Sequence, residues 1–266
     1  MAIGNEDYRF HLAAQESWDK YIWAARFVSH KSVLDVACAH GFGSNLLIES
    51  GASQVIGGDI ARASLLVAKE NYKKQNLSFV QLDACNLPFS SDYFDVVVTL
   101  ETIEHLPEYK KFLSECSRVL KPKGLLICST PNKEAKRPFI EVIPSKGLDL
   151  GHVKEFDSLE FRDLLKEYFT EVDLYGYLPL NLAERMKRKL AHIIAETGKA
   201  LLLLPVPQGV KLKIRYFAAC FLFRPVQLEK AFQNIETTRF SISPFNASLN
   251  QANLIALGTK KAEGKT

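Results

Sequence analysis

The sequence predicts an α/β protein in which helices cover both faces of a parallel sheet. Short apolar runs alternate along the chain with segments whose apolar residues recur at helical spacing. The run VLDVACAHGFGS, residues 33–44, adds a buried strand, a loop of small residues and the start of a helix. Parallel strands need crossover connections, and the intervening helices supply them.

Each element has its own local signal. Apolar spacing and the proline at 122 predict an amphipathic helix over residues 107–120. Asp157 and Glu160 have the spacing of a capping box, so a further helix should begin there. The remaining helices are predicted at 12–28 and 64–76, and strands at 33–36, 54–59, 172–175 and 252–258.

The loop after the first strand is a candidate anion site. Small residues let backbone N–H groups approach a ligand, and the following helix turns its positive end toward it. The second strand, QVIGGD, ends in Asp59, eighteen residues after Gly41. An acid at that distance can accept hydrogen bonds from both hydroxyls of a nucleotide ribose. A tight strand–helix turn without a ligand is the alternative.

The loop pattern separates two cofactors. Dinucleotide sites want G-x-G-x-x-G, whereas this loop is D-x-A-C-A-x-G-x-G. It resembles motif I, D-x-G-x-G-x-G, of the class I S-adenosylmethionine (SAM) methyltransferases. The two alanines depart from that motif, and they cost more if the backbone there needs a positive φ. The resemblance implies that the cofactor is bound by Asp35, Ala37, Ala39, Gly41, Gly43 and Asp59.

Later segments, 80–108 and 121–132, resemble the next motifs of the same family in the expected order. By this resemblance Asp83 accepts from the adenine amino group and Ala84 lies along the ring, while Ile60 and Glu101 also contact the cofactor. The resemblance covers residues 30–175 and the last strand. It implies a Rossmann-like seven-stranded sheet with an antiparallel final strand, in one domain over 1–266.

The chemistry is expected after the fourth strand. Glu101, Glu104 and His105 are spaced i, i+3 and i+4, and these positions share one face of a helical turn. With His152 they form a candidate divalent-metal site for magnesium, manganese or iron. The pattern is similar to the magnesium site of small-RNA 2′-O-methyltransferases, and its first three residues to that of ubiquinone-biosynthesis O-methyltransferases.

Three alternatives stay open for these side chains. In many small-molecule methyltransferases a Glu-His-Leu at this place only positions substrate or caps the turn. His105 or His152 could act as a general base without metal, because imidazole titrates near neutral pH. His152 could also be purely structural.

An insertion is predicted at residues 178–245, before the last strand. It is basic in its first half and carries apolar runs that prolines at 205 and 207 interrupt, so it is not a transmembrane helix. One interpretation is a helical cap over the substrate cleft. The other is an interfacial segment that rests on anionic lipid.

Composition excludes several classes of protein. The 266 residues are 47% hydrophobic and 24% charged, with a net charge of +4, as in an ordinary globular protein. Five scattered cysteines without a C-x-x-C pair support neither a disulfide framework nor a zinc knuckle. The candidate site lacks the basic stripe with interleaved aromatic residues that is typical of nucleic-acid binding, so we expect no nucleic-acid partner. The N-terminus lacks a signal-peptide pattern, so we expect a cytoplasmic protein, with peripheral membrane contact as the variant that a lipid-binding insertion would give.

These features together predict methyl transfer from SAM to a hydroxyl of a small molecule, a sugar or a lipid-linked acceptor. A nicotinamide-dependent oxidoreductase is the first alternative, disfavoured by the two alanines and by Asp35 ahead of them. A SAM-binding scaffold without catalysis is the second.

Overall fold

One mixed sheet of eight strands runs through the part of the chain that the structure describes. The computed structural model describes residues 16–135, 151–179, 240–245, 251 and 253–261. The strands are β1 (Ser32–Val36), β2 (Gln54–Asp59), β3 (Leu77–Gln81), β4 (Phe94–Leu100), β5 (Leu120–Pro131), β6 (Phe169–Pro179), β7 (Phe240–Pro244) and β8 (Asn253–Lys260). The helices are α1 (residues 16–24), α2 (Phe42–Glu49), α3 (Arg62–Asn71), α4 (Tyr109–Val119) and α5 (Ser158–Lys166), with 3-10 turns at Ala25–Phe27 and Ile103–His105.

The strand order is β3-β2-β1-β4-β5-β8-β6-β7. The first five strands pair in parallel, and β8 is antiparallel to both β5 and β6. The predicted Rossmann-like sheet, mostly parallel with an antiparallel last strand, is confirmed. The structure adds an eighth strand, β7, which the sequence analysis had placed inside the insertion. Because the strand order reverses between β1 and β4, a crevice is expected outside their carboxyl ends.

Helices cover both faces of the sheet, as predicted. Alternate residues of β1 and β4 point to opposite faces, and both strands are buried throughout their centres. On one face Leu34 and Val97 belong to a core that includes Phe112 of α4 and Phe161 of α5. On the other face Val33 packs with residues of α1 and α2.

The capping box at the start of α5 is confirmed. The Asp157 carboxylate accepts hydrogen bonds from the backbone N–H groups of Leu159 and Glu160, and the Glu160 side chain accepts from the backbone of Asp157. The predicted helix 64–76 instead spans Arg62–Asn71, because the chain becomes extended at Tyr72. The following residues form a turn, with Asn76 at φ 65°, which leads into β3.

The chain divides into two compact units. The larger comprises residues 15–135, 148–177 and 242–266 and contains the residues of the candidate site. The smaller comprises 1–14, 136–147 and 178–241, nearly all of them outside the described residues. The single-domain organisation and the cap or lipid-binding role of the insertion therefore stay predictions. Among the helices in the described part of the chain, none has both the length and the apolar character needed to cross a bilayer.

Candidate functional site

The loop between β1 and α2 has an unusual backbone. Ala37, Ala39 and Gly41 all have positive φ, at 60°, 47° and 80°. For an L-residue the left-handed conformation costs roughly 1–2 kcal/mol, and only glycine adopts it freely. The two alanines that stand in place of the motif's glycines therefore adopt a backbone conformation that is unfavourable for alanine. Backbone strain of this kind is concentrated at functional sites, where the surrounding structure maintains it.

Hydrogen bonds to the end of β2 hold this loop in place. The Cys38 N–H donates to the carbonyl of Gly58 at 3.0 Å, and the Ala39 N–H donates to Oδ2 of Asp59 at 2.8 Å. Oδ1 of Asp59 accepts from the Ala61 N–H, also at 2.8 Å. A carboxylate has about four acceptor positions, so Asp59 keeps capacity for ligand hydroxyls while it supports the loop.

The glycines of the loop are also required by packing. A Cβ atom on Gly41 would lie 2.6 Å from the Phe79 ring, and one on Gly43 would lie 2.1 Å from the Tyr21 ring. Both distances are far below van der Waals contact. The predicted contact of these glycines with the cofactor stays a prediction, since packing alone already demands them.

Asp35 lies inside the protein. Its carboxylate is fully buried and accepts hydrogen bonds from the Tyr21 hydroxyl at 2.9 Å and the Ser44 hydroxyl at 2.6 Å. Burial raises the pKa of Asp35 to about 7, although both hydrogen bonds act in the opposite direction. The side chain thus joins β1 to α1 and α2, and any direct contact with a cofactor stays a prediction.

The residues predicted to contact adenine stand at the ends of β2 and β3, which are adjacent parallel strands. Ile60 is 71% exposed, unusual for a large apolar residue, and Asp83 is exposed as well. Oδ1 of Asp83 accepts from the Cys85 N–H at 2.8 Å, which fixes the turn, while Ala84 is half-buried. An exposed apolar surface between two acids suits a flat ring with polar edges.

Glu101 follows β4 directly and has φ 51°. Its Oε1 lies 2.9 Å from the Lys20 ammonium and accepts from the Ser129 hydroxyl at 2.7 Å. Its Oε2 accepts from the Asn253 side-chain amide at 2.7 Å. Sequence reasoning missed Lys20, Ser129 and Asn253, which come from three separate elements.

A second cluster lies one turn later, on the Ile103–His105 segment. Ligand atoms of Glu104, His105 and His152 all lie within 4.8 Å of one another. The two imidazole rings are 4.8 Å apart in an edge-to-face arrangement. The backbone carbonyl of Glu104 accepts from the N–H groups of Val153 and Lys154, which anchors the segment that carries His152.

Glu104 is the buried member of this cluster. Its Oε2 accepts from the Thr130 hydroxyl at 3.1 Å, whereas Oε1 is buried and has no hydrogen-bond partner among the described residues. Burial, with the nearby charge of Glu101 as a second cause, raises the pKa of Glu104 to about 8.

The structure therefore brings together three of the four predicted metal ligands and places the fourth elsewhere. Glu101 is outside the 3-10 turn, and its left-handed backbone directs the carboxylate to Lys20, Ser129 and Asn253. The spacing in the sequence had predicted Glu101, Glu104 and His105 on one face of a helical turn, with His152 reaching them from a later segment.

Comparisons with known proteins point to one family. Residues 34–128 match the family described as "Methyltransferase domain". A probable S-adenosylmethionine-dependent methyltransferase from Mycolicibacterium smegmatis is 33% identical over 169 residues, which are 61% of this chain and 62% of that protein. A phthiotriol/phenolphthiotriol dimycocerosates methyltransferase from Mycobacterium ulcerans is 38% identical over 101 residues, 38% of this chain and 37% of that protein. The matches thus span less than two thirds of these relatives.

Solved structures share the fold at low sequence identity. A SAM-dependent methyltransferase from Thermotoga maritima, described as a possible histamine N-methyltransferase, superposes with a TM-score of 0.61 at 16% identity, covering 97% of this chain and 96% of that one. The cyclase SpnF superposes with a TM-score of 0.54 at 15% identity, covering 93% and 83%. These likenesses establish the fold.

The strained loop yields a test of backbone conformation. We expect Ala39→Gly to raise the free energy of unfolding by up to about 1 kcal/mol, because relief of 1–2 kcal/mol of left-handed strain exceeds the entropic cost of glycine. Urea titration measures the change. Ala63, which is exposed and lies within α3, is the matched control, and Ala63→Gly should lower the free energy of unfolding by about 0.5–1 kcal/mol. Destabilisation by Ala39→Gly as large as by Ala63→Gly would contradict the assigned conformation.

Glu104 should make stability depend on pH. A carboxyl with a pKa raised from 4.5 to about 8 keeps its proton in the folded protein after the unfolded chain has lost it. The unfolded chain then binds fewer protons, so the free energy of unfolding falls as pH rises from about 5 to 8. In Glu104→Gln this fall should be shallower by on the order of a few kcal/mol across that range.

Glu115→Gln serves as the control, because hydrogen bonding to Arg118 lowers the pKa of Glu115. Its contribution changes only below pH 5, so the variant should lose stability evenly from pH 5 to 8. Parallel profiles of wild type and Glu104→Gln would show that Glu104 ionises normally.

Proposed function

The chain contains a class I SAM-dependent methyltransferase domain, and on this premise we propose that it transfers a methyl group from SAM to a hydroxyl of a small or lipid-linked acceptor. One observation carries the proposal. The loop held by Asp59 and the cluster of Glu104, His105 and His152 stand at the same edge of the sheet, beside the crevice between β1 and β4. A donor site and a proton acceptor are thus side by side.

The donor is oriented by the ends of three strands. Asp59 ends β2 and Asp83 follows β3, so we place the adenosine end there, with Ile60 against the ring. The methionine end then reaches the crevice between β1 and β4, where Glu101 stands. When bound, SAM supplies an electrophilic methyl carbon, so the protein has only to align an acceptor in line with the S–CH3 bond and exclude water.

The acceptor hydroxyl must lose its proton, and an imidazole is placed to take it. Nδ1 of His105 lies 3.3 Å from the carbonyl oxygen of Gly151, which can only accept a hydrogen bond. Nδ1 therefore carries the hydrogen, and Nε2 keeps the lone pair that a general base needs. Nε2 lies 4.0 Å from Oε1 of Glu104, so a carboxyl group stands beside the imidazolium that forms.

The same three side chains also fit a divalent cation. Glu104 Oε1 is a buried oxygen without a partner among the described residues, and two imidazoles face it. A set of two histidines and one carboxylate suits manganese or iron better than magnesium. A cation held there would stabilise the oxyanion of the acceptor. We propose the metal-free base as the mechanism. Glu101, the fourth expected metal ligand, is instead paired with Lys20, which leaves only three side chains for a cation.

Two observations favour a lipid-linked or otherwise amphipathic hydroxyl acceptor. The Mycobacterium ulcerans relative is named for a triol, a compound that carries hydroxyl groups. In this chain Val153, which is 58% exposed, directly follows His152, whose ring lies 4.8 Å from that of the proposed base His105. An exposed apolar residue there suits the apolar part of such an acceptor. Peripheral contact of residues 178–245 with anionic lipid would agree with this, and it is a proposal outside the described residues.

The fold by itself is compatible with other activities. The cyclase SpnF shares it at a TM-score of 0.54, so methyl transfer has to be measured. A nicotinamide-dependent oxidoreductase is disfavoured by the methyltransferase-domain match over residues 34–128. Only a measurement of turnover distinguishes a non-catalytic SAM-binding scaffold from an enzyme.

Replacement of Asp59 tests the donor site. Asp59→Ala should weaken binding of S-adenosylhomocysteine by roughly tenfold to a hundredfold, because loss of a charged hydrogen bond costs about 1.5–3 kcal/mol. Isothermal titration calorimetry gives the affinity. Asp173→Ala, which removes an exposed acid on β6, should leave it unchanged. Wild-type protein that binds NAD more tightly than S-adenosylhomocysteine would refute the assignment.

Replacement of His105 tests the acceptor site. His105→Ala should lower the rate of methyl transfer by about 10²–10⁴-fold, the usual contribution of a general base, and leave S-adenosylhomocysteine affinity within about twofold. The assay follows label from radioactive SAM into the lipid and small-molecule fractions of a cell extract.

The same assay in the presence of EDTA decides between base and metal. The metal-free mechanism predicts an unchanged rate in EDTA. A rate that EDTA abolishes and added manganese restores assigns the cluster to a metal ion instead. Equal rates for His105→Ala and wild type would remove His105 from the mechanism.

A further inference from the structure

A buried lysine lies next to the proposed donor site and has no part in the proton transfer. Lys20 of α1 is 1% exposed, and lysine is almost never buried unless it is paired. Its ammonium lies 2.8 Å from Oε1 of Glu16 and 2.9 Å from Oε1 of Glu101. Burial acts to lower the pKa of Lys20, but the two carboxylates outweigh it and raise the pKa, so the lysine stays charged.

The group formed by Lys20, Glu16 and Glu101 carries excess negative charge. One ammonium faces two carboxylates, which leaves these three side chains with one net negative charge. Glu16 and Glu101 are both partly exposed, at 30% and 28%. A cationic ligand group beside Glu101 would compensate the excess charge, and desolvation strengthens such an interaction.

Glu101 has a defined orientation and one acceptor position that none of the described residues fills. Three elements besides its own supply donors to it: Lys20 from α1, Ser129 from β5 and Asn253 from β8. A carboxylate accepts about four hydrogen bonds, so within the described part of the chain one position remains, on Oε2. These contacts hold the Glu101 side chain even though its backbone has φ 51°, a left-handed conformation that is unfavourable for a residue other than glycine.

The position of Glu101 at the end of β4 indicates which part of the cofactor it would contact. In the proposed site the adenosine end lies over β2 and β3, so the amino-acid end of the cofactor reaches the end of β4. That end carries an α-ammonium group, which can donate to the remaining position on Oε2 and compensate the excess negative charge.

We propose that Lys20 is a positioning residue that holds Glu101 so that its free carboxylate position binds the α-ammonium of SAM. This inference rests on the proposed function, because it takes SAM as the ligand. Lys20 itself is too buried to contact the cofactor and acts only through Glu101. A plain stabilising ion pair is the competing account, and a ligand without the amino-acid end distinguishes the two.

The experiment compares S-adenosylhomocysteine with 5′-methylthioadenosine, which keeps the adenosine and the thioether but has no amino-acid end. Calorimetry gives both affinities for wild type, Lys20→Met, Glu101→Gln and the double variant. We expect each single variant to bind S-adenosylhomocysteine at least tenfold more weakly and methylthioadenosine within about twofold of wild type. The double variant should lose no more than the larger single loss, since the two residues act as a unit.

Lys110→Met is the matched control, because Lys110 is an exposed lysine paired with Glu167 at 3.3 Å. It should change neither affinity. If Lys20→Met does not fold, Lys20→Gln, which keeps a donor toward Glu101 without the charge, replaces it, and retained methylthioadenosine binding verifies the fold.

The outcomes distinguish failure of the positioning role of Lys20 from failure of the proposed function. Equal losses for both ligands, or no loss for S-adenosylhomocysteine, would overturn the positioning role of Lys20. Wild-type protein that binds neither ligand would contradict the proposed function, whatever the variants do.

Discussion

The hydrogen bonds between the β1–α2 loop and the end of β2 are the constraint on which the candidate site depends. Asp59 accepts from the backbone of Ala39, and Gly58 accepts from Cys38, so the loop is fixed in a left-handed conformation that alanine disfavours. The same contacts fix the position of the acid that we propose as the ribose-binding group. In the proposed site, loop geometry and ribose recognition therefore share one carboxylate.

Glu101 and Glu104 are three residues apart, but their environments differ, and we assign them different functions. Glu101 is held by Lys20, Ser129 and Asn253, and we assign it to the donor. Glu104 is buried against Thr130, and its pKa is raised to about 8. We assign it to the acceptor side with the two imidazoles. Carboxyl groups whose environments differ in this way are the usual mark of separate roles in one active site.

Much of the fold could be predicted from the sequence, because it depends on periodicity and on local chemistry. Alternation of apolar strands and amphipathic helices gave the covered parallel sheet, and the spacing of Asp157 and Glu160 gave the start of α5. The end of α3 was placed too late, because helical spacing continues past Asn71 while the chain must turn toward β3.

The candidate site was only partly predictable, since its details depend on backbone conformation and long-range contacts. The glycine motif raised a positive φ at Ala37 and Ala39 as a possibility, but alanine itself gives no signal for it, so only the structure decides. The spacing of Glu101 and Glu104 suggested one helical face, but the strand continues to Leu100 and the turn begins at Ile103. Lys20 lies eighty-one positions before Glu101, and no local pattern joins them.

The most direct test of the account is a crystal structure of the protein with S-adenosylhomocysteine. The account predicts ribose hydroxyls within hydrogen-bond distance, about 2.7–3.2 Å, of the Asp59 carboxylate and the α-ammonium within the same distance of Glu101. Adenosine bound away from the ends of β2 and β3, or an amino-acid end directed away from β4, would contradict it.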